Sequence, residues 1–368
     1  MTASTAMSPQ QRRRRPVFHR LAVAGVEPLC ADAAAVTFAV PPELAGEFAF
    51  RPGQALTLRR TVDGRDERRS YSICAAAGEP LRIGVREVPG GIFSSWLVHG
   101  VRPGDEVEVL PPSGGFTPEL TTPARHALVA AGSGITPMLS IAASVLAADE
   151  GSTVVLFYGN RRTDTVMFTE ELADLKDRHP ARFQLVHVLS REPREAELLS
   201  GRLDRERLAA LVGAFAPPSA VDHWWLCGPL AMTEGARALL LDEWGVPAER
   251  VHRELFHADD EPAPEPLRHP DGSPAGPTTR AAVTLDGRTS SAAVPRDVPL
   301  LDALQRTRPD LPFACKGGVC GTCRARLGSG EVRMRRNYAL EPAETAAGYV
   351  LTCQSLPLTD QVELDFDS

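Results

Sequence analysis

Four cysteines near the C-terminus constrain this sequence more than any other feature. Three of them share one short stretch with C-x4-C-x2-C spacing, and the fourth follows 29 intervening residues later: Cys315, Cys320, Cys323 and Cys353. This spacing is that of a two-iron, two-sulfur (2Fe–2S) cluster, whose irons need thiolates converging from one tight loop. Gly317, Gly318 and Gly321 lie in that loop, where they admit positive φ and close approach of backbone N–H groups to sulfur.

Other uses of these cysteines fit less well. The spacing is a poor match to zinc ribbons. Seven cysteines are present, and an odd total without a secretion signal does not describe a disulfide framework. The sequence therefore predicts a 2Fe–2S cluster held by the four C-terminal cysteines.

Length and charge limit the remaining possibilities. At 368 residues the chain exceeds one ordinary core, so several domains are expected. A net charge of −7 gives no reason to expect a nucleic-acid partner. No stretch approaches the roughly 20 apolar residues of a membrane span, so no membrane partner is expected. Mild acidity is ordinary for cytoplasmic proteins, and we expect the protein to be cytoplasmic. Residues 1–16 contain the run Arg12 to Arg15 and are expected to form a disordered basic tail.

Residues 17–118 have the pattern of a small antiparallel β-barrel. Short runs rich in Val, Leu, Ile or Thr are separated by Gly- and Pro-containing turn signals. The predicted strands are Ala33–Val40, Ala55–Arg60, Arg69–Ile73, Leu81–Glu87 and Glu106–Leu110.

Residues 119–256 change to alternating strands and helices, which predicts βαβ units and a parallel sheet. The predicted strands are His126–Gly132, Thr153–Gly159, Arg182–Ser190 and His223–Gly228. The predicted helices are Thr136–Ala148, Phe168–Arg178, Leu203–Val212 and Ala231–Trp244.

The C-terminal part is a separate small domain. Residues 257–278 are rich in Pro, Gly and acidic residues, which predicts a semi-rigid linker. Residues 279–368 open with a pattern that predicts a β-hairpin, with its turn at Asp286–Gly287. With its cysteine loop and the stretch Tyr349–Ser355, this part resembles the plant-type ferredoxin family, which implies a β-grasp fold.

The barrel segment contains Arg69-x-Tyr71-Ser72, which resembles the flavin motif of the ferredoxin–NADP reductase superfamily. The resemblance implies that Arg69 pairs with a phosphate, that Tyr71 lies against the isoalloxazine and that Ser72 bonds near flavin N5. The segment from Gly90 to Leu97 resembles the family's pyrophosphate-binding turn and helix start, and it supplies the further candidates Gly90, Gly91, Phe93 and Ser94. A pyrophosphate segment implies FAD.

The second segment carries the nicotinamide motifs of the same superfamily. Its Ala130–Pro137 stretch follows a strand and opens a helix; it implies pyrophosphate approach at Gly132 and Gly134 and a nicotinamide contact from Thr136. The resemblance implies that Arg161, Ser190 and Arg191 form a site for the 2′-phosphate of NADPH. The alternative is that these arginines are only solvated at loop ends, in which case NADH is the donor. Cys227 belongs to a C-G-P motif whose cysteine approaches the nicotinamide, with a structural buried cysteine as the alternative.

The order flavin, nicotinamide, ferredoxin resembles that of oxygenase reductases. The stretches Val166–Arg178 and Glu197–Leu208 resemble the reductase subunits of phenylacetyl-CoA epoxidases, which implies a di-iron terminal oxygenase as the partner. Reductases of 3-ketosteroid 9α-hydroxylase and other Rieske oxygenases share the order and are the alternative. A redox-sensing or scaffold subunit is the alternative from another class. Because a hydride carries two electrons and a 2Fe–2S cluster accepts one, a flavin is needed between them.

Overall fold

The computed structural model describes residues 17–62, 64–256, 277–340 and 342–368. The predicted tail, 1–16, and residues 257–276 of the predicted linker lie outside the described residues. Each of the three large sheets is built from one continuous stretch of the chain.

The first sheet is antiparallel and has the strand order β4-β3-β6-β1-β2-β5. Its strands are β1 His19–Cys30, β2 Ala33–Ala39, β3 Ala55–Val62, β4 Arg65–Ser72, β5 Arg82–Arg86 and β6 Glu106–Val109. A bridge between Ile73 and Ile83 joins the end of β4 to β5, so the sheet closes on itself around buried side chains such as Leu21 and Leu58. The short helix α1, Ile92–Ser95, follows β5. The predicted antiparallel β-barrel is confirmed.

The second sheet is parallel throughout, with the order β11-β10-β7-β8-β9. Its strands are β7 Arg125–Ala131, β8 Thr153–Asn160, β9 Phe183–Leu189, β10 His223–Cys227 and β11 Val251–Glu254. Its helices are α2 Ile135–Ala148, α3 Thr169–Arg178, α4 Arg205–Phe215 and α5 Leu230–Ala238. The chain leaves the central strand β7 toward β8 and later returns on its other side at β10. Ligands of such sheets bind at the carboxyl ends of the strands beside this change of direction.

Helix α2 joins the parallel sheet to the barrel. It is buried on nearly all sides because it packs on the sheet and also contacts the barrel. The hydroxyl of Ser140 donates to the Ala75 carbonyl at 2.6 Å, and the Ala77 N–H donates to the Ser144 hydroxyl at 2.9 Å. These buried polar contacts fix how the first two domains meet at the carboxyl edge of β7.

The third sheet is mixed and has the order β13-β12-β18-β14-β16. Its strands are β12 Thr278–Leu285, β13 Arg288–Pro295, β14 Arg324–Ser329, β16 Tyr349–Leu351 and β18 Gln361–Asp365, with β15 Val332–Met334 and β17 Ser355–Pro357 paired separately. The helices are α6 Leu300–Leu304 and α7 Pro342–Ala346. The hairpin turn is confirmed, since Asp286 and Gly287 have φ values of 57° and 70°. The predicted β-grasp architecture is confirmed.

The helices are too short or too polar to cross a bilayer anywhere in the part of the chain that the structure describes.

Candidate functional site

The three domains line one central cleft of about 2970 Å³. Single ligand pockets usually occupy about 300–1,000 Å³, so this volume has room for two dinucleotides. The cleft is lined by most of the predicted site residues, namely Arg69, Tyr71, Ser72, Gly91, Phe93, Ser94, Gly132, Thr136, Arg161, Ser190, Arg191, Cys315 and Cys320. Gly134, Cys227, Cys323 and Cys353 are buried and do not belong to the lining, and Gly90 is exposed outside it.

Strand β4 places the flavin motif at the wall of the cleft. The ring of Tyr71 lies 6.1 Å from the ring of Phe93, and burial raises the pKa of the Tyr71 phenol. Arg69 is half exposed, and its guanidinium lies 3.1 Å from the Glu67 carboxylate. An exposed pair of this kind is weak, so Arg69 can exchange Glu67 for a phosphate at little cost.

The turn before α1 is held by its own serine. Gly90 has a φ of 73°, a conformation that glycine adopts without strain. The Ser94 hydroxyl accepts from the Val88 N–H at 3.0 Å and donates to the Gly91 carbonyl at 3.3 Å. Ser94 therefore shapes the turn that Gly91 and Phe93 present to the cleft.

Glu254 is a site residue that the sequence analysis missed. Strand β11 ends at Glu254 beside Cys227 of β10, and the Ser72 hydroxyl donates to the Glu254 carboxylate at 2.9 Å. Desolvation raises the pKa of Glu254 to about 7, although the bond from Ser72 opposes the shift. The sequence V-H-R-E has one apolar residue followed by three polar ones, so it lacks the alternation that would have revealed this strand.

The glycine turn after β7 serves two different needs. Gly132 has a φ of 55° and faces the cleft. A Cβ at Gly134 would lie 2.2 Å from the Cys227 carbonyl oxygen, so this glycine permits packing against the end of β10. Thr136 is buried and donates to the Ser133 carbonyl at 3.0 Å, which stabilises the turn beneath the cleft.

Burial raises the pKa of the Cys227 thiol well above its ordinary value, so the thiol stays protonated.

Two exposed arginines meet at the carboxyl ends of β8 and β9. The Arg191 N–H donates to the Arg161 carbonyl at 2.8 Å, which holds the two residues side by side. The Ser190 hydroxyl donates to the Asn160 carbonyl at 3.2 Å. Both arginines line the cleft, where they can contact an anion.

The four C-terminal thiols form two pairs. Cys315 is in hydrogen-bond contact with Cys320, and Cys323 is in the same contact with Cys353. Across the described ranges, no three His, Cys, Asp or Glu side chains gather around a single metal-ion position. Two pairs fit a cluster of two irons, each taking two thiolates, better than they fit one zinc ion.

Backbone N–H groups of the cysteine loop point at the sulfurs. The Gly317 N–H donates to the Cys315 sulfur at 3.3 Å, and the Gly318 N–H contacts the Cys353 sulfur. Gly318 and Gly321 have φ values of 84° and 68°, which a side chain would strain. The loop therefore supplies the hydrogen bonds that stabilise thiolate charge, and it fits a 2Fe–2S cluster.

Family models match each of the three domains. The oxidoreductase FAD-binding domain matches residues 20–117, the oxidoreductase NAD-binding domain matches 128–238, and the 2Fe-2S iron-sulfur cluster binding domain matches 283–358. The three models follow one another in the order that the motifs predicted.

Whole-length relatives share this order. The chain is 42% identical to a subunit of 1,2-phenylacetyl-CoA epoxidase from Escherichia coli (strain K12), over 95% of this chain and 98% of that protein. It is 37% identical to the ferredoxin reductase component of 3-ketosteroid-9-alpha-monooxygenase of Mycolicibacterium smegmatis, over 94% of this chain and 96% of that protein. The solved structure of phthalate dioxygenase reductase superposes with a TM-score of 0.63 at 26% identity, covering 95% of this chain and 98% of that chain.

Proposed function

Because the chain belongs to the family of oxygenase reductases that join FAD-binding, NAD-binding and 2Fe–2S domains, we propose that it carries electrons from NADPH to a di-iron phenylacetyl-CoA epoxidase. Its activity as an electron-transfer oxidoreductase and its need for a terminal oxygenase follow from that membership. The observation that carries the finer assignment is the 42% identity with the phenylacetyl-CoA epoxidase component over nearly the whole of both chains.

Bound FAD would supply the conversion between the two-electron hydride donation of a nicotinamide and the one-electron reduction of a 2Fe–2S cluster. The proposed FAD contacts are those of the barrel wall: Arg69, Tyr71, Ser72, Gly90, Gly91, Phe93 and Ser94. The Ser72 hydroxyl and the Glu254 carboxyl form a hydrogen-bonded pair that can hold one proton near neutral pH, since the pKa of Glu254 is about 7. A direct contact from Cys227 to the nicotinamide stays a prediction, because its thiol is fully buried.

The proposed preference for NADPH rests on Arg161, Ser190 and Arg191. A 2′-phosphate distinguishes NADPH from NADH, and two adjacent guanidinium groups at the cleft offer charge-assisted hydrogen bonds to it. The pyrophosphate is proposed to lie at Gly132 and the nicotinamide above Thr136. Cys315, Cys320, Cys323 and Cys353 are proposed to ligate the cluster.

Reconstitution with purified oxygenase components tests the proposed partner. The chain, NADPH and the phenylacetyl-CoA epoxidase oxygenase should give phenylacetyl-CoA-dependent NADPH oxidation and an epoxide product. A parallel reaction with a 3-ketosteroid 9α-hydroxylase oxygenase is the comparison, because its reductases are 35–37% identical to this chain. Faster coupled turnover with the steroid oxygenase would contradict the epoxidase assignment while leaving the reductase family untouched.

A further inference from the structure

One buried arginine of the barrel contacts the cluster domain. The guanidinium carbon of Arg68, on β4, lies 4.1 Å from the centroid of the Phe313 ring. Arg68 is only 6% exposed and Phe313 only 5% exposed. Phe313 lies two residues before Cys315, and Arg68 lies one residue before the flavin motif. The contact therefore joins the two cofactor-binding segments of different domains.

The barrel holds Arg68 in place for this contact. The Asp66 carboxylate accepts from Arg68 Nε at 3.1 Å and from Nη2 at 2.6 Å. The Phe18 ring centroid lies 5.2 Å from the guanidinium carbon on the barrel side. A buried guanidinium is costly unless it is paired, and here it has one carboxylate and two aromatic rings as partners.

The cluster domain ties the Phe313 ring to its cysteine loop. The Lys316 ammonium lies 4.7 Å from the centroid of the same ring. Asp302 and Gln305 each accept from that ammonium at 2.9 Å, and the Gln354 amide donates to the Lys316 carbonyl at 2.7 Å. A displacement of Phe313 therefore displaces the loop that carries Cys315.

We propose that Arg68 is a positioning residue that docks the cysteine loop, residues 313–323, onto the barrel. The cluster domain is joined to the rest of the chain covalently only through residues 257–278. The fraction of molecules with the loop in the central cleft is then set by noncovalent contacts, because a tether fixes only the effective concentration. A desolvated cation–π contact of this kind shifts such an equilibrium by about 30-fold.

The test uses the full-length protein loaded with FAD and cluster, and it compares Arg68→Ala with Arg60→Ala. Arg60 is the matched control because it also stacks on an aromatic ring, Trp96 at 4.4 Å, but that ring lies in the barrel and is not one of the two rings that contact Arg68. Hydrogen–deuterium exchange of peptides covering 313–323 should rise about tenfold or more in Arg68→Ala and stay at the wild-type rate in Arg60→Ala.

Anaerobic stopped flow supplies the second readout. In Arg68→Ala, flavin reduction by NADPH should keep its rate, whereas the later cluster reduction should slow by about tenfold or more. Arg68→Lys should restore part of that rate, because it keeps a cation at the ring. A merely structural role would lower cofactor content and both rates together.

Either of two results would overturn the proposal. One is unchanged exchange and unchanged cluster reduction in Arg68→Ala. The other is an equal effect of Arg60→Ala, which would locate the cause in barrel stability rather than in docking. A double-mutant cycle with Phe313→Leu gives an independent check, since the effects of the two substitutions should be strongly non-additive.

Discussion

Replacing Glu254 with glutamine should stabilise the nucleotide-binding domain at high pH, and the gain should disappear in acid. Desolvation raises the folded-state pKa of Glu254 from 4.5 to about 7. Because the folded state binds this proton more tightly, the free energy of unfolding is highest below the unfolded-state pKa, where the carboxyl is protonated in both states. It falls as pH rises through the folded-state pKa, because the buried carboxyl must then carry a charge. The glutamine amide is neutral at every pH, and its carbonyl can still accept from Ser72.

The magnitude follows from the shift itself. About 2.5 pKa units at roughly 1.36 kcal/mol per unit give about 3 kcal/mol, which is an upper limit because Glu254 lies at the wall of the cleft and keeps some contact with solvent. Glu254→Gln should therefore gain up to that amount over the wild type at about pH 8, and almost nothing at about pH 4.

Tryptophan fluorescence during urea unfolding reports mainly on this domain, because three of the four tryptophans lie in it and only Trp96 lies in the barrel. Trp224 and Trp225 lie on β10, which pairs directly with the strand that carries Glu254. Glu249→Gln, at an exposed position just before that strand, is the control and should change nothing at either pH. An equal stability change at both pH values, or a loss of stability at high pH, would refute the buried-carboxyl reasoning.

Three other substitutions test the remaining parts of the site. Cys320→Ser should leave flavin reduction by NADPH intact but abolish electron delivery to the oxygenase, with Cys30→Ser as the control; persistent oxygenase turnover would exclude the cluster route. Arg191→Gln should lower kcat/KM for NADPH by about 10- to 100-fold, the loss expected for a charge-assisted hydrogen bond, and leave NADH unchanged in steady-state assays. Gly318→Ala should reduce the iron bound per chain, since φ is 84° there and the new Cβ would lie 3.1 Å from Gln354; wild-type iron content would contradict this.

Local patterns in the sequence predicted most of the fold. The alternation of apolar strands with helices located β7 to β10, and the cysteine spacing located the cluster loop. The polar first half of β4 was missed because R-D-E-R lacks the apolar alternation that marks a strand. Strand β1 was missed because Gly25 and Pro28 suggest turns. In the structure both residues lie within β1, each next to a shift in its pairing register with β2.

The parts of the site that escaped prediction depend on distant contacts. Glu254 lies 182 residues from Ser72 along the chain, and no periodicity specifies that they meet. Nothing in the sequence distinguishes Arg68 from a solvent-facing neighbour of the motif arginine, Arg69, because charged residues are rarely buried without a partner. Its partner, Phe313, comes from another domain. Sequence spacing identifies which residues can bind a cofactor, and only the assembled domains show which residues hold those sites together.

Strand β4 links the flavin site to the docking of the cluster domain through its register. Successive side chains of a strand point to opposite faces, so Arg68 and Arg69 are directed differently, and of these two only Arg69 lines the cleft. The side chains of Thr57 and Ser70, 3.1 Å apart, hold β4 against β3 in this register. A slip of one residue would exchange the faces of both arginines. Flavin binding and cluster docking would then fail together, which gives a physical reason for placing both on a paired strand rather than on loops.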